Sequence, residues 1–531
     1  MKTFFTPKLK RQALLGSLIA LMFSSTSVKA QSEIAKVKDM RYESGGSFSG
    51  FRPSDEIAEK RTKNAKHFKN ANGSFTVVTG GTYHYKDANN QWQDISLSLV
   101  PASRDAYAFA NEANEFKTYL PQKAGEQPVQ MILSNGVAFK WWQQPSMRFS
   151  NGSTVMAAQK KAAALQGDHT VNYAHVYEGI TEQFELLYNG VENNTIVHSL
   201  SQQIQGLPGG TMIELSQFIP MPSGWSVDVA GKKKQTNFSG KDFHISIPGT
   251  EGIYFGKIVV FDHTLDKNTA LYLIGAPLAK LSEQEKKQKE QHVLMCNYEV
   301  RFVQGGLNVI AKIPADWLKA GNRSFPVTID PTVTITPPSS IGDYYAPTSN
   351  WYGYQRHANL YLASEIGVSN VSISAIEYNR VNTNGTDAVS PNKVFFRTTP
   401  ATTLTAANWN STTYTGGLTA SFDASVNFHG STSGWKMFTL TTPFIYNSDN
   451  LIVMVYDAYG SSGSAKYMNR SSSVSNRQAY MRQDYSDPGD GTGLSVESYL
   501  PQILITYNPT TACTGTQCWY GRLICSRFCL S

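Results

Sequence analysis

Short stretches in which apolar and polar residues alternate recur along most of the chain. Clear examples lie at 75–79, 137–142, 183–188, 243–247 and 298–302. Successive side chains of a β-strand point to opposite faces, so this alternation predicts strands that each bury one face. The strands are short and closely spaced, which is typical of antiparallel meanders. The pattern therefore predicts an all-β protein.

A strand that contains Pro326 and Pro331 marks a division of the chain. Both prolines fix their own φ angles and favour extended backbone in the residue before them, and the apolar residues around them alternate with polar ones. The next segment, 336–340, has the composition of a stiff linker. We therefore expect an antiparallel β-rich N-terminal region of one or two sandwiches at 73–335 and a second module at 341–508.

The second module is richer in Ser, Thr, Asn and Tyr and has few charges. Its clearest strands are predicted at 373–378, 394–397, 435–440, 451–456 and 502–507. Residues 451–455 are apolar on both faces, and a strand of this kind belongs in the centre of a sheet.

One segment departs from the β pattern. Residues 279–291 are rich in helix-forming side chains, and Ser282 and Glu285 have the spacing of a capping box. The segment has no apolar stripe, so we expect either a short solvated helix or a mobile insertion.

The first 30 residues have the pattern of a secretory signal. Basic residues precede an apolar run at 13–23, and small residues precede a cleavage point after Ala30. Residues 31–72 are polar and show little periodicity, as expected for a surface leader. No apolar run is long enough to cross a membrane as a helix. We expect a secreted, extracellular or outer-surface protein without a transmembrane span.

The sequence YHYKDANNQWQDISLSLVP at 83–101 resembles the start of the β-rich N-terminal region of secreted bacterial Rhs/YD-repeat and wall-associated proteins. Asn114, Phe116 and Pro121 match a second element of that pattern, and PVTIDP at 326–331 matches its end. The chain lacks the YD repeats of that family. The resemblance implies an all-β, non-catalytic extracellular region.

The second module resembles the jelly-roll-like adhesin modules of exported Bacteroidetes surface proteins, which often accompany a type IX secretion sorting domain. The matching positions are Gly434, Trp435, Pro443, Phe444, Tyr446, Asn450 and Asp457. This resemblance implies a C-terminal jelly-roll-like β-sandwich.

The segment 509–531 is an irregular tail that contains four of the five cysteines. Its start resembles the first residues of an immunoglobulin-like repeat, and a shift of one base would restore more of that pattern. We hypothesise that the residues after Thr516 are out of frame and that the chain is the truncated front of a larger multidomain adhesin. A disulfide knot or metal site in the tail is the alternative. The fifth cysteine, Cys296, lies beside a predicted strand and is interpreted as a small apolar residue.

The net charge of +7 does not indicate a nucleic-acid partner. Five of these positive charges belong to the basic residues of the signal segment 1–30. A nucleic-acid interface needs a persistent basic patch on the folded body, and after removal of the signal the remaining chain is nearly neutral.

Two segments have compositions that suit ligand binding. Asp484, Asp487 and Asp490 lie in a glycine-rich loop, where carboxylates can bind calcium, although their spacing differs from an EF-hand and a polar turn is the alternative. The densest aromatic cluster could stack on an extracellular glycan or cell-wall polymer, or fill a sandwich core. It comprises Tyr344, Tyr345, Trp351, Tyr352 and Tyr354.

The sequence contains no catalytic motif for which we can name a reaction. Glu182 and Glu185 could serve as glycosidase carboxylates, but the sequence does not give their separation. We therefore expect a non-catalytic binding or adhesion protein that needs no cofactor, apart from the calcium considered above. An exported polysaccharide-acting hydrolase with an accessory sandwich is the alternative.

Overall fold

A computed structural model describes residues 55–143, 146–152, 156–250, 252–275, 278, 281–335, 347–348, 352–380, 390–426, 434–461, 468, 470–471 and 475–510. Residues 511–531 of the predicted tail 509–531, the signal segment and Tyr344, Tyr345 and Trp351 lie outside these residues. Strands dominate, and the sheets are antiparallel, so the predicted all-β class is confirmed. Within the described residues, no helix has the length and apolarity needed to cross a membrane.

The strands fall into three groups along the chain. The first two are β1 (Lys66–Lys69) and β2 (Phe75–Thr79). The N-terminal body contains β3 (His84–Lys86), β4 (Trp92–Asp94), β5 (Val100–Pro101), β6 (Tyr107–Asn111), β7 (Lys117–Pro121), β8 (Val129–Ile132), β9 (Ala138–Gln143), β10 (Ser146–Phe149), β11 (Met156–Ala157), β12 (Ala164–Gln166), β13 (Thr170–Tyr177), β14 (Ile180–Leu187), β15 (Gly190–Val197), β16 (Met212–Pro220), β17 (Ser226–Val229), β18 (Lys232–Lys234), β19 (Phe238–Gly240), β20 (Phe243–Ser246), β21 (Ile253–Phe255), β22 (Ile258–Asp262), β23 (Val293–Val303), β24 (Gly306–Pro314), β25 (Val327–Asp330) and β26 (Thr332–Thr334). The C-terminal sandwich contains β27 (Tyr354–Tyr361), β28 (Val371–Arg380), β29 (Ser390–Thr399), β30 (Phe422–Val426), β31 (Gly434–Tyr446), β32 (Asn450–Ala458), β33 (Arg470–Ser471), β34 (Gln478–Gln483), β35 (Ser495–Glu497), β36 (Leu500–Pro501) and β37 (Ile503–Pro509).

The helical segments are short. They are the 3₁₀ turn Ala58–Lys60 and the α-helices Gln202–Gln205, Lys267–Gly275, Glu283–His292, Ala315–Lys319 and Ala363–Ile366.

The N-terminal body is a network of paired strands folded into facing sheets. One sheet contains the series β13-β14-β15-β25-β22, and the facing one contains β9-β16-β24-β23. Apolar side chains of both series pack in one core, for example Phe184 from β14 and Ile313 from β24. The alternation predicted from the sequence produces this core, because every second residue of a strand points inward.

Two helices lie against the outer side of this body. Helix Lys267–Gly275 buries Ala270 and Leu273 against the strand residues Val259 and Phe261. Helix Glu283–His292 begins with the predicted capping box, in which Ser282 accepts from the Glu285 amide and the Glu285 carboxylate accepts from the Ser282 amide. This part of the sequence is therefore a short, solvated helix.

In the described residues, the C-terminal sandwich consists of two large antiparallel sheets and the small pair β33–β36. The strand orders of the two large sheets are β1-β2-β37-β28-β31 and β30-β29-β32-β27-β34-β35. The apolar strand β32 pairs with β29 on one side and β27 on the other, so its predicted central position is confirmed.

The structure assigns the first two strands differently from the division proposed from the sequence. Strand β1 lies in the predicted polar leader 31–72, and β2 lies in the predicted N-terminal region. Both belong to the C-terminal sandwich, because β2 pairs along its whole length with β37. Alternation shows that a strand has a buried face but does not identify its partner, which explains the difference.

Candidate functional site

Both ligand-binding segments considered in the sequence contribute to one end of the C-terminal sandwich. Tyr354 begins β27 and lies opposite Gln483, the last residue of β34. The loop with Asp484, Asp487 and Asp490 follows β34 directly. Sheet pairing thus brings an aromatic residue and an acidic loop together, although they are far apart in the sequence.

A buried arginine holds the acidic loop. Arg356, only 1% exposed, forms ion pairs from Nη1 to Asp487 Oδ1 at 2.8 Å and from Nη2 to Asp490 Oδ1 at 3.0 Å. Its guanidinium carbon lies 4.5 Å from the centre of the Tyr456 ring, and the Tyr456 hydroxyl donates to Asp487 Oδ2 at 2.6 Å. One planar cation therefore fixes two carboxylates in a charge-assisted network.

This network alters the titration of the loop. Partial burial alone would raise the pKa of Asp487, but the hydrogen bonds from Arg356 and Tyr456 outweigh it and lower that pKa below its ordinary value. Two of the three proposed calcium ligands already face a positive charge, so a calcium ion would have to compete with the Arg356 guanidinium. Calcium binding at Asp484, Asp487 and Asp490 stays a prediction.

The most exposed aromatic ring at this end was missed by the sequence reasoning. Tyr485 is 82% exposed, and its φ of 66° lies in the left-handed region that non-glycine residues rarely adopt. Its isolation between polar residues of a glycine-rich loop was the available sequence signal. Tyr354 is half-buried nearby, whereas Tyr352 packs against the apolar cluster beneath helix Lys267–Gly275.

The two glutamates considered as a catalytic pair lie on opposite faces of β14. Glu182 is opposite Thr195 and points into the core, and Glu185 is opposite Glu192 on the outer face. Residues three apart in a strand point in opposite directions. Glu185 Oε1 lies 3.6 Å from His169 Nε2, and this interaction lowers the pKa of Glu185.

Glu182 lines a cavity between the facing sheets. The cavity has a volume of about 40 Å³, enough for about three water molecules. Polar side chains such as Gln143, Asn193 and Gln217 contribute to its wall. Burial raises the pKa of Glu182 to about 8, so the carboxyl is largely neutral at pH 7 and can donate a hydrogen bond. Its Oε2 has no hydrogen-bond partner among the described residues.

On the outer face of the same sheet, Lys267 lies between two buried carboxylates. Its Nζ contacts Glu192 Oε1 and lies 3.0 Å from Asp330 Oδ2. Burial and the nearby Asp330 charge raise the pKa of Glu192 above its ordinary value. Asp330 belongs to the PVTIDP sequence at 326–331, so this segment contributes an ion pair to the fold.

A third group, Glu56, His84 and Asp94, has the spacing of metal ligands. Arg61 donates to both oxygens of Glu56 and to Asp94, and Lys66 also contacts Asp94. Burial would raise the pKa of Glu56, but hydrogen bonds from His84 and Arg61 lower it to about 2. The protein's own cations neutralise these carboxylates, which favours a structural ion network over a metal site.

Comparison with known proteins gives no family assignment, because no family model and no curated protein matches this chain.

Proposed function

We propose that this chain is an exported, non-catalytic binding or adhesion protein that contacts an extracellular glycan or cell-wall polymer. The binding face lies at the end of the C-terminal sandwich and comprises Tyr354, Tyr485, Asp487 and Asp490, held by Arg356. The observation that carries the proposal is the exposed Tyr485 ring beside carboxylates fixed by a buried arginine. The signal-like segment 1–30 supports the location.

The chemistry of this face suits a hydroxyl-rich polymer. An aromatic ring offers an apolar surface for the carbon–hydrogen face of a sugar, and adjacent carboxylates accept hydrogen bonds from its hydroxyls. Asp490 has most of its side chain in water even though one oxygen pairs with Arg356. Because Arg356 fixes the loop, less conformational entropy is lost when a ligand binds.

The hydrolase alternative receives less support. Glycoside hydrolysis requires two carboxyl groups facing the same bond, about 5–10 Å apart. Glu182 and Glu185 face opposite sides of a sheet. The carboxylate clusters described around Glu56, Asp330 and Asp487 each contain a lysine or arginine counter-charge.

Binding of the whole chain to an array of extracellular glycans and cell-wall polymers tests the proposal. We expect binding that Tyr485→Ala and Asp490→Ala each weaken about five- to thirtyfold, since each removes a contact worth about 1–2 kcal/mol. Met437→Ala is the matched control, because Met437 is 57% exposed but lies on β31 of the other sheet. Absence of binding, or binding that both loop variants retain in full, would refute this assignment.

The larger-adhesin hypothesis is tested separately. If the gene contains no immunoglobulin-like continuation one base out of frame after the codon of Thr516, that hypothesis fails. The proposed binding face is unaffected by this outcome, because it lies within residues 354–490.

A further inference from the structure

Lys267, on the outer face of the sheet, lies close enough to two carboxylates for a covalent crosslink. Lys267 Nζ lies 3.0 Å from Asp330 Oδ2, and it also contacts Glu192 Oε1. Asp330 is 3% exposed and Glu192 is 6% exposed. The second oxygen of Asp330, Oδ1, has no hydrogen-bond partner within the described part of the chain.

We propose that the Lys267 amine and the Asp330 carboxyl condense to an intramolecular amide bond, with Glu192 relaying the protons. This goes beyond the proposed binding function and does not depend on it. The bond would join the start of helix Lys267–Gly275 to the end of β25.

The reaction balances without an oxidant or an external reactant. An ammonium and a carboxylate combine to give an amide and one water molecule. Glu192 accepts a proton from Nζ, Nζ forms a bond to Asp330 Cγ, and one carbon–oxygen bond of Asp330 breaks. Both protons that Nζ loses end on the departing oxygen, and Glu192 returns to its starting state.

The surroundings favour this reaction over an ordinary ion pair. The three groups are held by a helix and two hydrogen-bonded strands, since β15 pairs with β25 at Thr195 and Ile329. Fixed neighbours react with effective concentrations of about 10⁵ M or more when their geometry is suitable. Both carboxylates are buried, whereas the Lys267 side chain is 34% exposed.

The protonation states are compatible with the relay. Burial opposes the charge of Lys267, but the two carboxylates outweigh it and raise its pKa above the ordinary value, so it begins as an ammonium. Burial and the nearby Asp330 charge raise the pKa of Glu192 above its ordinary value, which favours its taking a proton from Nζ. A proton relay needs a group that can take and return a proton at the working pH.

The chain contains a suitable internal comparison. Lys393 Nζ lies 3.1 Å from Asp423 Oδ2, almost the distance found for Lys267 and Asp330. Both of those side chains are exposed, so water solvates the pair. The two lysines differ little in exposure, so the buried Asp330 carboxylate and the neighbouring Glu192 distinguish the proposed crosslink from a surface ion pair.

Mass spectrometry of the purified whole chain tests the proposal. We expect an intact mass lower than that of the unlinked chain by one water molecule, about 18 Da. Protease digestion should release a branched peptide that joins Lys267 to Asp330, and Lys393 and Asp423 should appear in separate peptides. An intact mass without water loss, in protein that has been folded for days, would overturn the proposal.

Variants assign the roles of the three residues. Lys267→Arg keeps the positive charge and should abolish the mass loss, and Glu192→Gln should slow linkage at least tenfold while leaving both linked residues in place. Circular dichroism identifies any variant that fails to fold. If a variant does not fold, the intact mass of the wild-type chain alone tests the proposal. A branched peptide that persists in Lys267→Arg would show that another lysine reacts and would also overturn it.

Discussion

Replacement of Glu182 by glutamine tests the electrostatics of the buried cavity. Burial raises the pKa of Glu182 from 4.5 to about 8 in the folded chain. Between these pH values the folded protein retains a proton that the unfolded chain has released. The free energy of unfolding therefore falls as the pH rises through this range. Glutamine keeps the size and hydrogen-bonding capacity of the side chain but does not titrate.

The size of the effect follows from the shift in pKa. One pKa unit corresponds to about 1.4 kcal/mol. Below pH 4.5 the carboxyl is protonated in both states and contributes no pH dependence. From about pH 5 to about pH 8, the wild type should lose about 3 kcal/mol of unfolding free energy relative to Glu182→Gln. The variant should therefore be the more stable protein at pH 8.

Urea unfolding followed by tryptophan fluorescence measures this difference at the two pH values. The control is Glu299→Gln, because a hydrogen bond from Lys312, whose own pKa is raised, lowers the pKa of Glu299. A carboxylate with a lowered pKa is ionised in both states above pH 5, so the control should show no comparable change. The reasoning is refuted if the difference in unfolding free energy between the wild type and Glu182→Gln changes by less than about 1 kcal/mol between pH 5 and pH 8.

The remaining predictions concern the ion networks around Arg356 and Glu56. Arg356→Met should destabilise the chain by about 2 kcal/mol, less than the 3–5 of a fully buried pair because its acidic partners are partly in water. Lys393→Met, which breaks an exposed pair, should lower the unfolding free energy by less than about 1 kcal/mol. Thermal unfolding compares the two variants. Equal losses of stability would contradict the importance assigned to Arg356. Glu56 has its pKa lowered from 4.5 to about 2, so it stabilises the fold above pH 4.5 and this contribution is lost as the pH falls towards 2. Glu56→Gln should remove about 3 kcal/mol at neutral pH but little near pH 2, as measured by circular dichroism in urea, whereas Glu59→Gln, at an exposed position, should behave as wild type.

In this chain, the sequence predicts local structure better than it predicts which distant residues come into contact. Alternation predicted strands such as β14, and the doubly apolar run at 451–455 predicted a central strand, because both patterns depend on which faces of a strand are buried. The spacing of Ser282 and Glu285 predicted the capping box because a cap involves residues within one turn. These features require no knowledge of distant residues.

The features that sequence reasoning missed depend on distant residues. The acidic loop suggested calcium because its carboxylates are close in the sequence, yet the cation beside Asp490 comes from Arg356, 134 positions away. Glu182 and Glu185 are the exception: three residues apart in one strand, they must face opposite sides of its sheet, so their spacing alone argued against a catalytic pair. Tyr485 was overlooked because local composition does not determine whether a ring is in water. Pairing and burial decide these properties.

The hairpin of β1 and β2 has a consequence for the order in which the chain can acquire its structure. The Thr76 and Thr506 side chains meet across the β2–β37 pair although they are 430 positions apart. During synthesis, this hairpin emerges long before the strand that completes its sheet, and in the meantime one of its edges can pair with another polypeptide. A fragment that begins after residue 79 would likewise leave one edge of β37 unpaired, so the C-terminal sandwich is a discontinuous unit that must be expressed with its early hairpin.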